Sequence, residues 1–277
     1  MSLSNVLFLF LAHLGVGIAF TLVFVSRDAG IKFFRFNAGL GAILIAVALA
    51  FRYGAPGPAA SGAGAGAYDR SALVALDAAE AALVFYWATI GRLFTRFRGL
   101  ILGGAALAGI AAIVLQALAI SIDRSAAAQA LTVASFLTSS AMLGGACTAM
   151  ILGHWYLVLP SMEVSYLQSI VGLHILSMTA RVVVVAAAVW FAIATWRPDL
   201  DAGPGFRHYI FSIEGIFFWQ RVLFGLAGPA VLSYLTWETA KIRATQSATG
   251  ILYVDFFTVV VGEVLAKYIV LATRVPV

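Results

Sequence analysis

The chain has 277 residues, 62% hydrophobic and 10% charged, with a formal net charge of +5 and a mean hydropathy of +1.00. An ordinary soluble domain carries about 25% charged residues to cover its surface, so a water-soluble globule is excluded and lipid is the solvent for most side chains. The basic residues are dispersed over loops without a polybasic block, which argues against nucleic acid as a partner. The single cysteine, Cys147, precludes an intrachain disulfide.

A helix needs about 20 apolar residues to cross the hydrocarbon. Taken in chain order, the apolar runs predict spans over residues 5–25, 36–53, 71–94, 99–121, 128–158, 165–196, 208–236 and 248–273. The first has no positive segment ahead of it and no small-residue cleavage site behind it. It runs directly into Arg27 and Asp28, so it reads as a retained helix and not as a signal peptide. The second is the shortest. Residues 54–70 are rich in Gly, Ala and Pro and read as a flexible loop. Arg92, Arg96 and Arg98 mark the next turn, Pro160 closes span five, and Pro198 and Pro204 follow span six. The fifth and sixth runs are long enough to tilt or project from the core. In span seven, Pro229 deprives the Gly225 carbonyl of its helical donor and predicts a kink. Glycine pairs at Gly39/Gly41, Gly103/Gly104, Gly144/Gly145 and Gly225/Gly228 predict close helix approaches.

The runs are continuous and lack the period-2 alternation of barrel strands. The fold class is therefore an all-α, polytopic transmembrane helix bundle of about eight helices, one domain over residues 1–277, with both termini on the same side. Basic residues flanking the spans, above all Arg27, Lys32 and Arg35 after span one, place the other side in the cytoplasm and the termini outside, as in a bacterial inner membrane.

Ionised side chains inside lipid cost about 2.5–3.5 kcal/mol each on insertion scales, yet Asp77, Glu80, Arg181, Glu214, Arg221, Asp255, Glu263 and Lys267 fall in or near the spans. At about 1.5 Å per residue, Arg181 and Arg221 lie near the midplane. Glu80, Glu263, Asp77, Glu214 and Lys267 lie toward the side of the termini. Asp77 and Glu80 share a helix face, as do Glu214 and Arg221, and Glu263 and Lys267. Five acids against three bases predict an interior with an excess of negative charge, hence a protonated acid or a balancing cation. A protonatable acid amid arginines suits a quinol site or a proton path.

Histidines at similar depth on neighbouring helices can ligate a b-type haem. His154 on span five and His174 on span six form one such pair, and His13 with His174 a second. The repeated histidine spacing of helical haem proteins is absent. His208 reads as interfacial. No nucleotide loop, hydrolase elbow or zinc-protease motif is found. These residues together predict the membrane subunit of a respiratory or redox complex. It would exchange electrons and protons with the quinone pool, possess haem b or quinone as cofactor, and rely on partner subunits for further redox centres because its own loops are small. In that reading Arg181 and Arg221 polarise quinone oxygens, and Glu80, Glu214 or Glu263 moves protons with Asp77 and Lys267. A proton- or ion-coupled transporter or channel is the alternative, and a scaffold subunit with structural ion pairs is the third.

Overall fold

The computed structural model describes residues 2–54, 63–91, 93, 97–158, 163–196 and 205–277. Among these residues there is helix and no strand. Eight helices are long and apolar enough to cross a membrane; the protein is an all-α, membrane-spanning bundle. Arg92, Arg96, Pro160, Pro198 and Pro204 lie outside the described residues, as do residues 55–62 of the predicted loop.

The helices are α1 (Leu3–Leu22), α2 (Gly30–Gly54), α3 (Ala63–Thr89), α4 (Arg98–Ser121), α5 (Ala126–Val158) and α6 (Val164–Ala194), followed by α7 (Phe206–Phe211), α8 (Ile216–Val222), α9 (Gly228–Lys241) and α10 (Thr245–Thr273). α1 and α5 form the centre, with 78% of the apolar stretch of each buried, against 22% for α6. α1 packs on α2, α4, α5 and α10, while α5 also packs on α4, α6 and α10. Asn5 on α1 and Arg274 beyond α10 line the same cavity, so the first helix starts and the last ends at one face, here called the terminal face.

Three element boundaries differ from the sequence expectation. α2 is not short: Gly30, at φ 85°, opens it six residues before the predicted start. Phe33, Phe34 and Asn37 turn inward while Lys32 stands exposed, so the charges near its start sit on its outer face without ending it. Residues 63–70 are the first turns of α3 and not loop. The Asp69 carboxylate of those turns pairs with Arg52 at the end of α2, which offsets the low helix propensity of Gly64 and Gly66. Span seven is not one helix. α7 ends at Ser212, whose backbone is extended, and a 3₁₀ turn over Ile213–Gly215 precedes α8.

The kink expected at Pro229 takes a definite form. Residues Leu223–Ala227 make a π turn in which the Gly228 N–H bonds back to the Leu223 carbonyl. The wider ring accommodates a proline that has no N–H to give the Gly225 carbonyl. The glycines behave unequally. Gly17 of α1 and Gly144 of α5 meet backbone to backbone, so that a Cβ on either would enter the other. The Ser140 hydroxyl donates to the His13 carbonyl (2.8 Å) one turn away. Gly225 makes the same kind of contact with Gly262 of α10. Gly103 and Gly104, by contrast, face open space and do not mediate an approach within the chain.

Gly144→Val should therefore lower the unfolding midpoint in detergent, by about 1–3 kcal/mol or more in stability for an overpacked contact. Gly103→Ala should leave it unchanged. Equal midpoints for the two variants would refute the α1–α5 contact.

Candidate functional site

Four helices distant in sequence meet around one carboxylate. Glu263 of α10 is fully buried. Its Oε1 accepts from Arg181 Nε of α6 at 3.0 Å and from Arg221 Nη2 of α8 at 2.8 Å. Its Oε2 accepts from Arg181 Nη2 at 3.3 Å and from the Ser139 hydroxyl of α5. Lys267, one turn along α10, donates from Nζ to Ser139 Oγ at 2.7 Å and lies 3.8 Å from Glu263 Oε2. Its ammonium also stands 4.9 Å from the centroid of the Phe136 ring, a cation–π contact strengthened by burial.

The remaining Arg181 nitrogen is equally committed. Nη1 donates to the carbonyl and the hydroxyl of Ser135, at 3.1 and 2.5 Å, and Nη2 also reaches the Val277 carbonyl at 3.0 Å. Val277 is brought there by Arg274, whose left-handed backbone (φ 57°) ends α10 and turns the following residues inward. Arg221 is the exception. Its Nε and Nη1 are buried without a hydrogen-bond partner among the described residues, and Nη1 lies beside Gly225 and Gly262, where any Cβ would displace it.

The side chains of the cluster are three bases and one acid, with a Val277 oxygen also against Arg181. The other predicted acids lie elsewhere. Asp77 is exposed and accepts from the Tyr53 hydroxyl at 2.8 Å, which puts it level with the last turn of α2. Glu80 is half-buried on α3, which packs chiefly on α4 and α2; its Oε2 is buried without a partner among the described residues. Glu214 lies exposed in the 3₁₀ turn before α8, so it shares no helix face with Arg221. It borders a surface cleft of about 1170 Å³ with His208, Tyr209 and Asp123.

The histidines occupy three separate surroundings. His174 Nε2 approaches Asp255 Oδ2 at 2.8 Å, both side chains being fully buried, and the His174 ring packs on Gly145. His154 is exposed, its Nδ1 3.0 Å from the Tyr253 hydroxyl. Asp255 and Tyr253, two residues apart on α10, point to nearly opposite sides of that helix. Thus His154 and His174 do not present free nitrogens to one slot, as two axial haem ligands must. No group of three or more His, Cys, Asp or Glu among the described residues is placed to hold a metal.

His13 is fully buried, with its ring edge-on to Phe136 at 4.9 Å. Phe136 thus touches both His13 and the Lys267 ammonium. The Gln116 amide of α4 adjoins the His13 ring. Neither ring nitrogen of His13 has a hydrogen-bond partner among the described residues, nor does either amide atom of Gln116.

The structure therefore unites Arg181, Arg221, Glu263 and Lys267, sets His13 beside them, and leaves Asp77, Glu80, Glu214 and His154 outside. Sequence reading missed Ser135, Ser139 and Gln116. The two serines stand four apart on α5, and Gln116 is the lone amide in an otherwise apolar helix. Those were the available signals. No protein-family model matches the chain, and no curated protein matches it.

Removing one partner of a buried ion pair costs about 3–5 kcal/mol. Glu263→Gln leaves three cations without their counter-charge and should lower the unfolding midpoint strongly. In a Lys267→Met background the same change should cost less, giving a favourable coupling in a double-mutant cycle. Additive losses would show that the lysine and the glutamate do not share this cluster.

Proposed function

We propose that the chain is the membrane subunit of a respiratory or redox complex and exchanges protons and electrons with a quinone-class carrier. The supporting observation is the buried Glu263 cluster with His13 at its flank. It combines a carboxylate, an amine and an imidazole in one buried site bounded by apolar helices. Oxidation of a quinol releases two protons and two electrons. The electrons pass to a redox centre in a partner subunit. The protons need nearby bases, and His13, Lys267 and Glu263 are the groups that can take and pass them on. Arg181 commits every donor to protein acceptors, so its role is to orient Glu263. Arg221 keeps two unpartnered nitrogens and is the arginine that can respond to a changing charge. Haem plays no part in this reading, because the histidines do not converge. The complex sits in a bacterial inner membrane, with the terminal face outside.

A second reading, proton- or ion-coupled transport, is favoured by one further observation. Asp255, Glu263 and Lys267 are all buried on α10, over about 18 Å of helix axis, which is the layout of a coupling path through the bundle.

The two readings differ in what the purified protein carries. Quinone should be recovered in an organic extract of the complex isolated from its native membrane. Lys267→Gln, which keeps a donor for Ser139, should lower quinol oxidation by about 100-fold or more, the scale of a lost acid–base group. Full quinol oxidation by the assembled variant would leave a scaffold role. Absence of quinone, together with proton leakage in vesicles that Lys267→Gln abolishes, would replace the redox reading with transport.

A further inference from the structure

At the terminal face, between α1, α2, α3, α4 and α10, the bundle holds a partly open cavity of about 250 Å³. Phe8 and Leu9 of α1 and Leu271 of α10 supply apolar wall. Gln116 of α4 is its buried polar lining residue, only 4% exposed, with both amide atoms unpartnered among the described residues. An unpartnered buried amide costs about 1–3 kcal/mol. An arrangement that holds one against a cavity is accounted for by a ligand that completes its hydrogen bonds.

The lining says what that ligand is. Its charged residues are Arg52, Asp69, Asp123 and Arg274, two of each sign, and each is already paired: Arg52 with Asp69, and Arg274 with Asp123. Neither a cation nor an anion finds an unpaired charge of the opposite sign. The volume lies slightly below the usual range of about 300–1,000 Å³ for small-molecule sites, enough for one substituted ring and too little for a nucleotide. An amide is both donor and acceptor. Its N–H can donate to a ring carbonyl, and its oxygen can accept from a ring hydroxyl, so the same residue holds the oxidised and the reduced forms of one molecule. On the other side Gln116 adjoins His13, whose ring packs on Phe136, the ring that also contacts the Lys267 ammonium.

We propose that this cavity is the docking site for a neutral benzoquinone or naphthoquinone head group, with Gln116 as its hydrogen-bond partner and His13 as the group linking the site to the Glu263 cluster. The inference rests on the quinone reading given above and adds the site, which involves none of the ion-cluster residues.

The probe is a short-chain quinone, decyl-benzoquinone, titrated against the purified protein in lipid nanodiscs with tryptophan fluorescence as readout. Gln116→Leu removes both hydrogen-bonding groups at similar volume, and Ala119→Phe fills the cavity from its α4 wall. Each should weaken binding about tenfold or more, a loss of about 1.4 kcal/mol. Gln116→Leu should fold as well as the wild type or better, because it deletes an unsatisfied buried amide. If the wild type binds and both variants keep its affinity, the site is wrong and the quinone reading stands. If the wild type binds no quinone analogue, both fall.

Discussion

One fully buried carboxylate governs the architecture. Glu263 is shared by Arg181, Arg221, Lys267 and Ser139, which come from α6, α8, α10 and α5. In a low dielectric, an ionised group must be matched within a few ångströms or lose its charge. The four helices are therefore held at one mutual depth, since sliding any of them by a turn would strip a charge of its partner. Arg181 extends the constraint to the Ser135 carbonyl and to the inturned Val277 carbonyl. The glycine contacts serve the same arrangement. Gly225 against Gly262 brings α8 and α10 close enough for the Arg221 guanidinium to reach Glu263.

The polar groups of the bundle then divide by depth. His174 and Asp255 approach each other in the half away from the terminal face. The Glu263 cluster is flanked by His13. Both regions keep unpartnered atoms among the described residues: His174 Nδ1 and Asp255 Oδ1 in the first, and atoms of His13, Gln116 and Arg221 in the second. The π turn beginning two residues after Arg221 lies where a local change of helix winding would be felt first by that arginine. Because Glu263 is shared, a proton added to or removed from this region changes the interactions of every member of the cluster.

Much of the bundle is legible from composition and run length, because lipid imposes a simple requirement: every backbone polar group must be satisfied within the helix. About 20 apolar residues per crossing follow from that, and the eight predicted spans correspond to the eight observed. The same argument marked Arg181, Arg221, Glu263 and Lys267 as out of place, and their burial together is its consequence. It could not say which groups face inward. Glu214, in the 3₁₀ turn after Ser212, is exposed, and Asp77 is exposed beside Tyr53. Both depend on local chain path and helix rotation, which the composition of a run does not specify.

The sequence by itself determined the class of solvent, the number of crossings and the residue types that lipid could not tolerate unpaired, since these depend on sums over many side chains. Only the tertiary structure decided partnership. Whether an acid stands among three bases or beside a tyrosine depends on helix rotation and on contacts between distant segments, such as Ser139 and Lys267, 128 residues apart. The gathering of three bases on Glu263, the different partners of His154 and His174, and the exposure of Gln116 to a cavity are all of this kind. Each is a relation between faces of different helices, and a single chain pattern specifies the faces without specifying which ones meet.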